Sequence, residues 1–454
     1  MLVLQKGPLL IERTGPLLEL DLDRARPLGL QIEERVRSLI RSELLPIGTV
    51  LPSTRALAAD LGISRGVVVS AYAQLAAEAY VTLRRGAPPL VAAGGHAAEP
   101  IDLGPDVPIA GLPFNLRPDL PDLALFPRSE WLRSCRRAVE SAASYDFSYG
   151  DMFGSDRLRI QISQFLGRTR GTVSPFGRVG IFAGSTQALL QIGSVLREEG
   201  KERIAVEDPS HRWRTRVLAA TGLETVPVPV DEHGLRVEEL ADVDAVVVSP
   251  EHQFPTGAVL SPERRLQLVE WAAAGDRLVI EHDYDGLFRY DRHPAGALQG
   301  LAPEQVAYVG TATPMLAPSV RLGWAVLPVR LTTPVAMRMY RTSMSTSRLL
   351  QFALADLIER GALDRHLRRM RAAYRRRREV LVGRLPVTGP PVGLFVTLAV
   401  EDEAGALERL RAEGFALDGV NEHTLTKQPP GLVLGFAASP EPTLARAARR
   451  LQKL

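Results

Sequence analysis

With 454 residues, 45% of them hydrophobic, the chain is long enough for two or three domains with cores of their own. One cysteine, Cys135, excludes an internal disulfide, no apolar run reaches the roughly 18 residues of a membrane span, and no signal-peptide pattern opens the chain, so a cytoplasmic protein is expected. A net charge of +3 says little, but residues 24–91 carry nine Arg against five acidic residues, the basic footprint of a nucleic-acid module on a near-neutral body.

In chain order, Leu28, Ile32, Val36, Leu39, Ile40 and Leu44 recur at helical spacing and predict a helix over residues 27–45, stopped by the turn residues Pro46-Ile47-Gly48. Leu51-Pro52-Ser53-Thr54-Arg55 opens a second, short helix with Ser53 as N-cap, Leu57, Ala58 and Leu61 as its apolar face and Gly62 as C-cap. Ser64 is expected to cap a third helix from Arg65 to about Glu78, buried along Val68, Ala71, Tyr72 and Leu75. A hairpin follows: Tyr80 to Leu83, a turn at Arg84-Arg85-Gly86, then Leu90-Val91.

Two helices joined at a glycine and followed by a hairpin make a winged helix-turn-helix, which lays its third helix in the major groove of double-stranded DNA. Arg65 is placed to meet a guanine edge and Ser64 and Ser70 to reach phosphate or base, with Gly66 and Tyr72 in the same candidate set. Arg55, beside Ser53 and Thr54, sits at a helix start that favours a phosphate, and Arg84 and Arg85 make the wing basic. The alternative is a small helical domain with ordinary solvated arginines. The ordered set L-P-S-T-R, L-G-I-S-R and A-Y-x-x-L-x-x-E resembles the winged helix-turn-helix of GntR-type bacterial regulators over residues 27–91. The wing departs from that family's G-S-G-T-F-V, reading Gly86-Ala87-Pro88-Pro89-Leu90-Val91, which removes the small polar tip suited to minor-groove contact.

Residues 92–113, rich in Ala, Gly and Pro, are expected to form an extended linker, which sets the domains at 24–91 and 114–454. Beyond it, β-branched runs at 179–182, 203–206, 245–248, 278–280 and 306–309 alternate with helical stretches. That alternation predicts an α/β body with a mainly parallel sheet covered on both faces and ligands at the carboxyl ends of the strands.

The phrases L-R-P-D-L-P-D, P-E-H-Q-F-P-T-G, F-R-Y-D and L-A-P-S-V-R-L-G resemble the MocR/GabR-type regulators, in which a GntR-like head is fused to a fold-type-I aminotransferase-like body, over about residues 27–452. The resemblance implies a smaller C-terminal α+β subdomain from about residue 335, a homodimer, a DNA operator and a small-ligand site of the pyridoxal phosphate type. It sets Ser185, Thr186, Thr311 and Arg321 around the cofactor phosphate and Tyr284 at its phenolic oxygen. It also exposes losses. Pro314 holds the position of the Schiff-base lysine, His282 that of the carboxylate for the ring nitrogen, and His211 that of the stacking aromatic. The substrate-carboxylate arginine falls at Val433. Asp283, next to His282, is expected to point to the opposite face of its strand.

Only four residues are lysine, at 6, 201, 427 and 453. Lys201 and Lys427 are expected in loops away from the strand ends, so neither replaces the missing amine. Arg375-Arg376-Arg377-Arg378, on a long helical pattern from about Gln351, reads as a solvated helix face. His252 joins the candidate ligand set, and with His293 isolated and one cysteine no metal site is expected. The expected function is therefore a DNA-binding regulator whose body dimerises and senses a small anionic ligand, without aminotransferase catalysis or covalent pyridoxal phosphate; non-covalent cofactor binding through the phosphate stays open. The alternatives are an active aminotransferase, a regulator responsive to pyridoxal phosphate through a non-standard anchor, and a body that is only a dimerisation scaffold.

Overall fold

The computed structural model describes residues 22–92, 112–240, 242–291 and 295–454. Most of the expected linker, Lys6 and His293 lie outside the described residues. The chain divides into two compact units between residues 107 and 108.

In the first unit, three helices, α1 (Leu28–Arg41), α2 (Thr54–Asp60) and α3 (Arg65–Ala77), precede the hairpin β1 (Val81–Arg84) and β2 (Ala87–Val91). Ser53 caps α2 by accepting from the Ala56 amide at 3.2 Å, a bond of a kind that contributes about 1 kcal/mol. Gly62 follows the C-cap in the left-handed region at φ +61°, the conformation that ends α2 and turns the chain into α3. Ile32, Val36, Leu39 and Ile40 of α1 pack on Val68, Ala71, Tyr72 and Leu75 of α3. Two expectations need correction. The first helix ends at Arg41, not at 45, so its phase is lost: Leu44 is 61% exposed and Leu45 takes the core place. Ser64 stands at the N-cap position of α3, but its side chain makes no capping bond.

The second unit opens with β3 (Phe114–Asn115), α4 (Arg128–Glu140) and α5 (Asp156–Arg170). The alternating stretch follows as β4 (Val179–Phe182), α6 (Ser185–Glu198), β5 (Arg203–Asp208), α7 (Arg212–Ala219), β6 (Glu224–Asp231), β7 (Gly234–Leu235), β8 (Ala245–Val248), α8 (Pro262–Ala274), β9 (Leu278–Asp283), α9 (Leu298–Leu301), β10 (Val306–Thr311) and β11 (Gly323–Val326). These eight strands form one sheet in the order β4-β11-β10-β9-β8-β5-β6-β7, with only β11 and β7 antiparallel to their neighbours. Alternate residues feed two cores. Ile204, Val206, Val247 and Ile280 pack with Leu189 and Ile192 of α6 and Leu218 of α7, whereas Ala205, Val246 and Val279 pack with Leu268 and Ala272 of α8. A strand buried on both faces needs apolar residues at every position, which is why these segments read as unbroken hydrophobic runs.

Four more helices, α10 (Val329–Arg341), α11 (Arg348–Glu359), α12 (Ala362–Val382) and α13 (Glu403–Ala412), lead into α14 (Glu441–Leu451). They accompany a smaller antiparallel sheet of β12 (Val387–Thr388), β13 (Phe395–Ala399), β16 (Gly431–Gly435) and β15 (Asp418–Gly419), while β14 (Phe415–Ala416) pairs with β3. The helical pattern from Gln351 is thus two helices, parted at Gly361 with φ +64°. The arginine run is a solvated face only in part, with Arg375 and Arg376 exposed. Arg377 is buried and donates to Asp122 at 2.6 Å, Arg376 pairs with Glu441, and Arg375 and Arg378 donate to the carbonyls of Tyr290 and Gly389.

Candidate DNA interface and ligand site

On the first unit, Ser64, Arg65, Gly66 and Ser70 line an exposed stretch of α3, with Ser53 and Arg55 exposed at the start of α2. Arg65 Nε donates to Thr54 Oγ1 at 3.3 Å, which ties the first turn of α3 to that of α2. Arg84 and Arg85 are exposed at the hairpin turn. Arg55, Arg65, Arg84 and Arg85 have no carboxylate partner among the described residues, whereas Arg37 of α1 is held by Glu33 and Glu78. Tyr72 is a correction: it is 1% exposed, its hydroxyl donates to the Pro52 carbonyl at 3.1 Å, and burial raises its pKa. It is a core residue and not a DNA contact.

In the second unit the parallel strands bring their carboxyl ends to one edge, which carries Gly184-Ser185, Asp208, Ser249, Tyr284 and Thr311. Arg321 joins them because β11 runs back antiparallel from Gly323. Gly323 pairs with Thr311, and a Cβ on it would lie 2.8 Å from Gly184 Cα, so no larger residue lets these turns meet. Gly184, at φ +117°, turns the chain into α6, whose first-turn amides are free for an anion. Ser185 is nine-tenths buried with a hydroxyl that has no hydrogen-bond partner among the described residues, and Thr186 is exposed. Thr311 Oγ1 lies 3.2 Å from Thr313 Oγ1. Arg321 is exposed, in the left-handed region at φ 51°, and has no ion-pair partner among the described residues. The cup has the donors, the charge and the helix terminus that suit a phosphate.

The other half of the site is filled from within. Arg214 of α7 is 0% exposed; its Nη1 donates to Glu207 at 3.0 Å, and its Nη2 donates to Ser249 at 3.0 Å and lies 3.1 Å from His282 Nδ1. A guanidinium only donates, so His282 accepts at Nδ1 and carries its proton on Nε2, which is buried without a partner. Burial and then the Arg214 charge hold the His282 pKa well below the usual histidine range, so the ring is neutral. His211 stacks on Phe254 with ring centroids 3.5 Å apart and planes 7° apart, a single stacking layer with no gap for another ring. His211, His252 and His282 all lie within 6.2 Å of the Tyr284 ring. The Tyr284 hydroxyl donates to the His252 carbonyl at 3.0 Å, and His252 Nδ1 pairs with Asp285 at 2.9 Å.

Asp283 is on the opposite strand face from His282, as expected. It accepts from Arg170 at 2.6 Å and from the Tyr308 hydroxyl at 2.7 Å, so it is committed elsewhere. Pro314 is buried in the turn after β10 and offers no amine. Lys201 pairs with Asp244 at the amino end of β5, the wrong edge of the sheet. Lys427 is a correction, because Leu425 and Thr426 donate their amides to Asp208, which docks its loop on the carboxyl end of β5. Its own side chain is exposed along a groove with Glu401, Glu408 and Gln428. The donors here suit a phosphate, whereas Pro314 and His282, at the positions expected for the anchoring amine and the ring-nitrogen carboxylate, supply neither group, and a guanidinium engages His282.

The pattern of the family described as aminotransferase class I and II matches residues 124–451, and that of bacterial regulatory proteins, gntR family, matches residues 28–91. The chain is 32% identical to the HTH-type pyridoxine biosynthesis transcriptional regulator PdxR of Corynebacterium glutamicum, over 91% of this chain and 93% of that protein. It is 31% identical to the probable rhizopine catabolism regulatory protein MocR of Rhizobium meliloti, over 96% and 95%. The fold resembles that of Pyrococcus horikoshii kynurenine aminotransferase with a TM-score of 0.68 and 24% identity, over 75% of this chain and 90% of that one.

Proposed function

The chain belongs to the class I and II aminotransferase family and carries a gntR-family head, and from that premise we propose that it is a cytoplasmic one-component transcriptional regulator. The head over residues 24–91 binds a double-stranded operator. A linker over 92–113 joins it to a body over 114–454, with its smaller part from about residue 335, that dimerises and senses a small anionic ligand without aminotransferase catalysis. The names of the PdxR and MocR relatives support the regulatory role.

The observation that carries the reading is the set of exposed arginines at 55, 65, 84 and 85, without carboxylate partners among the described residues, on a winged helix-turn-helix. Phosphate backbones need such un-neutralised charge. On the body, the cup of Ser185, Thr186, Thr311 and Arg321 supports an anionic effector, and Pro314 with Arg214 speaks against transamination. Exposed Tyr145, Phe147 and Tyr149, at 73%, 59% and 87%, supply the apolar surface that a second copy would cover. A regulator anchoring pyridoxal phosphate at a non-standard lysine draws its one foothold from the loop of Lys427, docked at the carboxyl edge.

Gel-shift titration of the full chain on DNA flanking its own gene, at two salt concentrations, tests the proposal. A shifted band that weakens steeply with salt is the expected result. No shift at micromolar protein in low salt would end it.

A further inference from the structure

A second cavity, of about 160 Å³, opens at the same carboxyl edge but outside the phosphate cup. Its walls include Arg212, Thr215 and Arg216 of α7, Ser210 just before that helix, and Asp208 and His423. Arg212 and Arg216 stand one helical turn apart, both exposed, and neither guanidinium has a hydrogen-bond or ion-pair partner among the described residues. Like charges at that spacing repel each other, so this face of α7 is destabilised until an anion neutralises it. Ser210 is 4% exposed; its amide donates to the His423 carbonyl at 2.8 Å, but its hydroxyl has no partner among the described residues. The carboxylate in the wall is already saturated, since Asp208 accepts from the amides of Leu425 and Thr426 and from the hydroxyls of Thr424 and Thr426. His423 is held from behind by Asp418 through Nε2 at 3.1 Å. Among the described residues the cavity thus combines two unpaired guanidiniums, an unused hydroxyl and the amino end of an eight-residue helix around an acid whose oxygens are already engaged by four donors.

We propose that this cavity is a second anion subsite, taking the phosphate group of a small phosphomonoester or the free phosphate ion. An occupant would bridge α7, on the large sheet, to the loop of His423, on the smaller one, so that binding pins the loop already clasped by Asp208. The proposal rests on reading the body as an anion sensor, yet it concerns residues separate from Arg321.

Equilibrium dialysis with inorganic phosphate, at constant ionic strength in chloride, tests it on the full chain. Both arginines are exposed, so the Arg212→Gln/Arg216→Gln variant is expected to fold, with an unchanged circular dichroism spectrum. It should bind phosphate at this site about tenfold more weakly, while Arg321→Gln leaves that binding event in place. Glycerol 3-phosphate binding more tightly than phosphate would identify an ester as the ligand, and the reverse order the free ion; either supports the subsite. Phosphate binding that survives the double variant and disappears in Arg321→Gln overturns the subsite and leaves the sensor reading intact. Binding lost in neither variant, or absent from the wild type, overturns the subsite as well.

Discussion

Replacing Arg214 with alanine is expected to destabilise the body by about 3–5 kcal/mol, read as a fall in its denaturation midpoint, the cost of removing one member of a buried ion pair. The reason lies in what stays behind. Glu207 is 3% exposed and would keep neutral donors alone, the Ser249 amide at 3.1 Å and the Gln253 side chain; His282 and Ser249 would lose their donor. Replacing both charges with apolar residues of similar size, Arg214→Met with Glu207→Leu, should recover most of the loss, because desolvation of the pair offsets much of its attraction. Arg214→Lys should recover less, since one ammonium does not reproduce a fork that reaches Glu207, Ser249 and His282 together. A loss below about 1 kcal/mol for Arg214→Ala would mean that the guanidinium does not hold this half of the site together.

The second large effect is on the head. Arg65→Ala should cost about 1–3 kcal/mol of operator affinity and relax the preference at one base pair, the signature of a lost direct contact to a base edge. The bond from Arg65 Nε to Thr54 Oγ1 leaves the terminal nitrogens of the guanidinium free for that contact. Arg84→Ala or Arg85→Ala should instead weaken all sequences alike and lower the salt slope by about one, as expected for a phosphate contact. Fluorescence anisotropy with the operator and single-base variants separates the two behaviours. Unchanged affinity in Arg65→Ala would remove this residue from the interface.

Much of the head was legible because its helices are short, amphipathic and bounded by Ser53, Pro46 and Gly62, each acting locally. The errors there were also local: once α1 stopped at Arg41, its helical phase no longer placed Leu44, and Tyr72 shares a helix with Arg65 but lies on its inner face. In the body, unbroken apolar runs announced the parallel sheet, and strand-end motifs pointed to residues that the fold gathers at its carboxyl edge. Arg214 escaped notice because its meaning depends on distant partners: Ser249 is 35 residues away and His282 68. One signal was present, the placement of Arg214 four residues before the buried Leu218, on the inward face of α7. Within the run at 375–378, Arg377 departed from the solvated face for the same reason, since Asp122, which holds it, is 255 residues away. Local patterns settle elements, whereas a buried charge is explained only by what tertiary contact brings to it.

The central claim, that Pro314 and the Arg214–His282 pair leave a body unable to hold pyridoxal phosphate covalently, is tested most directly by incubating the purified full chain with pyridoxal phosphate, reducing with borohydride and measuring the intact mass with peptide mapping. The account predicts an unmodified mass and no protein-bound absorption in the violet after desalting. A stoichiometric phosphopyridoxyl group on Lys427, or on any other lysine, would contradict it.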